Sequence, residues 1–178
     1  MSMSELLERL EAAGIPLDDL TKSAMIDIDP SDFTDYDLEG FWHDKPIPFL
    51  FTGFGATRTI SAPHMIATLL HHLEITIGQD IMLIGSKGGY LAAIIDRMVG
   101  KDGTVTILEP HDEVRLHTEE RLEKHLCSGV IKILPPNDIS EIERLSGGFA
   151  RVLITGSVRE IPDSIGDLVI DGGFVLGP

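Results

Sequence analysis

The stretch Asp80-Ile81-Met82-Leu83-Ile84-Gly85-Ser86-Lys87-Gly88-Gly89-Tyr90, followed by Leu91-Ala92-Ala93, decides how the chain is read. Its apolar run from Ile81 to Ile84 has the length and composition of a buried parallel strand. The run breaks at Gly85 into a glycine-containing loop that opens a helix. A strand, a tight loop and a helix N-terminus together present unpaired backbone N–H groups to a carboxylate or phosphate. An α/β sheet binds its ligand at such a place.

Working outward, helix and strand patterns alternate. Residues 91–98 continue the helix, and Gly100 and Asp102-Gly103 turn into a second strand over 104–108, which ends at Glu109-Pro110. A helix is predicted over 112–126, a strand over 130–134, a break at Pro135-Pro136-Asn137-Asp138 and a short helix over 139–145. A strand over 150–155 follows, then a helical turn opened by Pro162, and a last strand over 174–176 after Gly172-Gly173. The β-α-β-α-β-α-β-α-β order predicts a Rossmann-like, doubly wound, mostly parallel sheet.

Before the loop, residues 3–13 place Leu6, Leu7 and Leu10 at helical spacing, with Ser4 as the N-cap and Gly14 as the stop. A second short helix is predicted over 18–25. The aromatic and turn residues from Phe33 to Pro48 predict an ordered wrap over the core. Gly53 and Gly55 suit a tight loop. Pro63 opens a helix whose face is Met65, Leu69, Leu70 and Leu73, and Ser61 stands where an N-cap is expected. The chain is expected to be one domain, with N-terminal helices and wrap over 1–58 and the sheet core over 59–178.

Composition narrows the partners. The 178 residues are 43% hydrophobic, with 14 Lys plus Arg against 29 Asp plus Glu and a formal charge of −15. Such a charge repels nucleic acid and anionic membrane, and neither is expected as a partner. Cys127 is the only cysteine, so neither an intrachain disulfide nor a thiolate cluster is possible. His64, His71 and His72 lack metal-ligand spacing, and no metal is expected. No apolar run is long enough for a membrane span, and MSMSELLERLEAAG lacks the basic start and apolar core of a signal peptide. A cytoplasmic protein is the expectation.

The loop residues separate candidate ligands. A G-x-G-x-x-G dinucleotide fingerprint starting at Gly85 would need glycine at Lys87 and Tyr90, and no G-x-x-x-x-G-K-[ST] occurs. NAD and ATP are thus disfavoured. The looser glycine loop that methyltransferases use for S-adenosylmethionine remains. Glu109, 24 residues after Gly85 at a strand end, is placed to accept both ribose hydroxyls. A solvated strand-end acid is the other reading of Glu109.

The segment Thr59-Ile60-Ser61-Ala62-Pro63-His64-Met65 resembles the signature of the protein-L-isoaspartate (D-aspartate) O-methyltransferase family. The similarity extends over 24–33, 44–48, 53–56, Gly85-Ser86, Gly89-Tyr90, Ile161-Pro162 and Asp171-Gly172-Gly173. The resemblance implies methyl transfer from S-adenosylmethionine to the carboxylate of isoaspartyl residues in damaged proteins or peptides, a repair reaction. It assigns Ser61 as catalytic or substrate-orienting, with Thr59, Ile60, Ala62, Pro63 and His64 lining the substrate side. It assigns Gly85, Ser86, Lys87, Gly88, Gly89, Tyr90, Glu109, Pro110 and Asn137 or Asp138 to the cofactor.

The chain also departs from that family. Leu83 stands where the family usually has an acid, and Lys87 replaces the middle glycine of its loop. Lys87 either turns outward, pairs with the ligand carboxylate or Glu109, or fills the pocket. Residues 49–52 and Arg58 read as additions, and the sequence stops at Pro178 where the family continues through further strands. A catalytically impaired binding module, or a methyltransferase with a different substrate, is therefore the alternative.

Overall fold

The computed structural model describes residues 1–125, 129–134, 148–156, 159–160 and 163–177. At its centre the apolar run forms β3 (Asp80–Ile84), preceded by a hairpin of β1 (Ile47–Phe51) and β2 (Thr57–Ile60). β4 (Thr104–Leu108), β5 (Val130–Leu134), β6 (Phe149–Ile154) and β7 (Val169–Leu176) complete a sheet of order β5-β4-β3-β6-β7. Every pairing in it is parallel. The sequence winds one way from β3 to β5 and then back across β3 to β6 and β7. β3 and β6 therefore flank the point where strand order reverses.

Period-two alternation explains why a continuous apolar run is needed. Ile81 and Leu83 join the large core on one face, with Val105, Ile107 and Leu153. Met82 belongs to a smaller core on the other, with Leu108, Val152, Ile165 and Leu168. A central parallel strand is buried on both faces. The large core also takes α1 (Met3–Ala12), α2 (Asp19–Asp27), α4 (Pro63–Leu73) and α5 (Tyr90–Val99). The remaining helices are α3 (Glu39–Trp42), α6 (Asp112–Lys124) and α7 (Asp163–Gly166).

Several boundaries differ from the sequence reading, each for a local reason. α1 is capped by Ser2, two residues earlier than Ser4. The Glu5 carboxylate accepts from the Ser2 backbone N–H at 2.6 Å while the Ser2 hydroxyl accepts from the Glu5 N–H, a reciprocal capping box. The buried face of α4 is Pro63, Ile66, Ala67, Leu70 and Leu73, and Met65 is exposed. Ser61 does not cap α4. Ala62 is the N-cap and makes no side-chain bond, and Asp44 supplies the missing acceptor from outside the helix, taking the His64 backbone N–H at 2.8 Å and contacting His64 Nδ1 at 2.9 Å.

β7 starts five residues before the expected Phe174. Gly172-Gly173 lies inside it, at a register shift that pairs Phe149 with Val169 but Arg151 with Phe174. A Cβ on Gly173 would lie 2.7 Å from the Ala150 carbonyl oxygen, so the bulge requires glycine there. Of residues 49–52 and Arg58, read as additions, Phe49, Leu50 and Phe51 belong to β1 and Arg58 to β2, with Phe51 opposite Thr57 and Leu50 opposite Arg58. Pro46 and Pro48 obscured β1, since proline lies poorly in a central strand, but this two-stranded sheet leaves one side of each strand free. The helix expected over 139–145 and the turn at Pro162 fall outside the described residues. Among those described, no helix is long and apolar enough to cross a membrane.

Candidate active site

A cavity of about 420 Å³ opens at the carboxyl ends of β3, β4 and β6. Ile84 of β3 with Gly85 after it, Glu109, Pro110 and His111 after β4, and Ile154 of β6 with Thr155 and Gly156 after it line it. Lys87 and Val114 line it too, and the hairpin contributes Phe49, Thr57, Arg58 and Thr59. The cavity thus sits in the crevice between β3 and β6.

The glycine loop is shaped by close approach. Gly85 has φ +92°, and a Cβ on it would lie 2.4 Å from the Thr155 hydroxyl, which donates to the Gly85 carbonyl at 3.0 Å. Gly88, at φ +76°, lies under the Phe49 ring, where a Cβ would come within 2.9 Å. Gly89 packs against Phe33 and Leu122. Lys87 also has positive φ, +49°, without being glycine. Left-handed backbone costs an ordinary residue about 1–2 kcal/mol.

Glu109 is buried and held by protein. Its Oε2 accepts from the Ser86 N–H at 2.8 Å and the Ser86 hydroxyl at 2.9 Å, and its Oε1 accepts from the His111 N–H at 3.0 Å. Behind Ser86, the Thr118 hydroxyl lies 2.8 Å from the Ser86 oxygen. A carboxylate offers about four acceptor positions, so one remains. Accepting two ribose hydroxyls requires Ser86 to release a bond. Lys87 is half-buried, and burial lowers its pKa from the usual lysine value, with the Arg58 charge adding to that and Glu109 opposing it.

Of the residues singled out in the sequence, Thr59, Gly85, Lys87, Glu109 and Pro110 line the cavity. Ser86 is fully buried and turned to Glu109, so its role is to position that carboxylate. Tyr90 is also fully buried, packed by Phe33 at 5.6 Å and Phe41 at 5.8 Å between ring centroids, and burial raises its phenol pKa. Ile60, Ala62 and Pro63 are buried, and His64 is engaged by Asp44. Ser61 is half-buried and does not line the cavity. Asn137 and Asp138 lie outside the described residues.

Sequence reasoning missed Phe49, Thr57, Thr155 and Gly156 and did not connect Arg58 with the site. The signal for Phe49 and Arg58 was the alternation flanking Gly53 and Gly55, which reads as a hairpin once Pro48 is allowed in an edge strand. Nothing in the order of residues announces Thr155, which meets Gly85 across the sheet.

A doubly wound sheet with its cavity at the switch point defines a Rossmann-like fold, in the form used by methyltransferases. A family model described as protein-L-isoaspartate(D-aspartate) O-methyltransferase (PCMT) matches residues 1–178. The chain belongs to this family. It is 29% identical over 126 residues to protein-L-isoaspartate O-methyltransferase of Methanococcus maripaludis strain C6, covering 71% of the chain and 58% of that protein. It is 27% identical over 175 residues to the enzyme of that name from Pyrobaculum islandicum, covering 97% of the chain and 81% of the relative. The chain therefore spans less than two thirds of the first of these relatives. A structure described as a protein-L-isoaspartate O-methyltransferase from Plasmodium falciparum, in complex with S-adenosyl-L-homocysteine, aligns with a TM-score of 0.80 at 24% identity, covering all of this chain and 84% of the other.

Proposed function

We propose that the chain transfers a methyl group from S-adenosylmethionine to the carboxylate of isoaspartyl residues in damaged proteins or peptides. The observation that carries this reading is the cavity between β3 and β6, with the Gly85 loop on one side and Glu109 at the end of the next strand. Rossmann-like sheets take nucleosides in that crevice. Family membership, and the S-adenosyl-L-homocysteine held by the Plasmodium falciparum protein, support the choice of nucleoside.

The residues fit the cofactor in part. Glu109, fixed by Ser86 and His111, offers an acceptor to a ribose hydroxyl, and Pro110 and Val114 offer apolar surface to a base. Leu83 is fully buried in the core, so the end of β3 supplies no acid for an ammonium group. When bound, the cofactor supplies an electrophilic methyl group. A substrate carboxylate, with a pKa of about 4, is already ionised at neutral pH and needs no general base. What the chain must do is hold the carboxylate oxygen in line with that methyl, where effective concentration gives the acceleration. Ser61, next to Thr59 and Ile60 at the end of the hairpin, is the proposed orienting hydroxyl. The cytoplasm is the proposed setting.

Calorimetry with S-adenosylhomocysteine and methylation of an isoaspartyl peptide test the reading. Binding at micromolar ligand and methyl incorporation that falls in Ser61→Ala are expected. Because Ser61 caps nothing, that variant should keep its stability within about 0.5 kcal/mol. No heat and no thermal shift at millimolar ligand would exclude it as a methyltransferase, since a ligand that binds only the native state must stabilise it.

A further inference from the structure

We propose that Arg58 and Lys87 form a carboxylate-binding subsite in the wall of the cavity. Both side chains line the same cavity, and no hydrogen bond or ion pair holds either one among the described residues. The Arg58 Nε is shielded from solvent and has no hydrogen-bond partner. This is a guanidinium N–H removed from water without an acceptor, a situation that a bound anion relieves.

Lys87 points to the same conclusion from its backbone. It holds φ +49°, a conformation that favours glycine, within a loop whose next two residues are both glycine with positive φ. The loop therefore tolerates local strain to place an ammonium at the cavity. Glu109 offsets the two cations only in part, one charge against two. It is the only acid lining the cavity among the described residues, and its oxygens are engaged by Ser86 and His111. Two cations of like sign close to one another raise each other's free energy, which is why the Arg58 charge depresses the Lys87 pKa. An anion shared between them reverses that penalty. The guanidinium fork suits the two oxygens of a carboxylate, and the lysine adds a point charge.

The identity of the carboxylate rests on the proposed methyl transfer, which brings two of them to the cavity. One is at the amino-acid end of the cofactor, where the buried Leu83 leaves no acid to hold the ammonium, and the other is the isoaspartyl group. Arg58→Gln and Lys87→Gly remove the charges singly and together, and glycine suits the backbone at position 87. For each variant, the dissociation constant of S-adenosylhomocysteine is measured by calorimetry and KM with an isoaspartyl peptide. A rise of about tenfold or more per charge in one of these is expected, the usual effect of losing a charge-assisted hydrogen bond. A rise in the dissociation constant assigns the subsite to the cofactor. A rise in KM with the dissociation constant unchanged assigns it to the substrate, and Arg58→Lys should recover part of either loss.

If the wild type binds and methylates while the double variant stays within about twofold in both constants, the subsite is overturned. If the wild type binds no S-adenosylhomocysteine, the methyl-transfer reading fails by itself. The subsite is then read by titrating succinate against the Arg58 side-chain N–H resonance. A saturable shift that Lys87→Gly weakens supports it, and no shift overturns it.

Discussion

Single residues in the loop carry unequal loads. Gly85 is fixed by the Thr155 hydroxyl, which stands 2.4 Å from where its Cβ would be, and by a φ of +92°. Gly85→Ala should destabilise the fold by roughly 2–4 kcal/mol, from left-handed strain plus overpacking. Urea denaturation checks this, and Thr155→Gly in the same chain should recover the steric share. Lys87 differs in kind, because its strain is conformational and its side chain faces a cavity. Ser86 and Thr118 act through Glu109, holding one carboxylate by two donors from a residue that is itself fully buried.

Among the elements, α4 shows how a cap can come from far along the chain. The signature segment that leads into the helix leaves its first turn without a side-chain cap, and Asp44, itself at φ +58°, closes it from 20 residues upstream. Asp44→Ala should cost about 1 kcal/mol, the usual worth of an N-cap, read from the urea midpoint. The loss should exceed that of Ser61→Ala. The far end of α4 is held in a similar way. Arg151 Nε donates to the Leu73 carbonyl at 2.6 Å, and its guanidinium lies 4.4 Å over the Phe174 ring, so β6 and β7 fix the helix that follows the hairpin. Through that chain of contacts the sheet sets where β2, and with it Arg58 and Thr59, meets the cavity.

Over the whole molecule, the N-terminal third is fastened to the sheet through α6. His117 Nε2 lies 3.1 Å from the Phe33 carbonyl oxygen, its ring packs 5.0 Å from Phe49, and Arg121 pairs with Asp35. Burial lowers the His117 pKa below its usual 6.5, with the Arg121 charge acting the same way and the Phe33 hydrogen bond, Asp35 and Glu120 opposing. The folded state therefore holds fewer protons here than the unfolded chain. Stability from this group is present at neutral pH and falls as the pH drops through about 6.5, where the unfolded imidazole takes up its proton. His117→Gln, which keeps an N–H for the Phe33 carbonyl, should reduce the loss of stability between pH 7.5 and pH 5.5. Thermal melts of the two chains at both pH values measure the difference.

Residue order by itself determined the parallel sheet, because Ile81–Ile84 reads as a buried strand, the strand runs at 104–108 and 150–155 alternate with helical stretches, and the glycines between them limit the turns. It also located Gly85 and Glu109, whose spacing follows from one βαβ unit. Only the tertiary structure decided what surrounds them. The cap of α4, the acceptor for Ser86 and the contact of Thr155 with Gly85 are each made by residues distant in sequence, and no local propensity encodes them. The hairpin belongs in the same class. Phe49 and Arg58 read as additions to a loop, yet pairing across Gly55 brings both to the cavity, because a side chain's surroundings are set by packing and only its conformation by its neighbours in the chain.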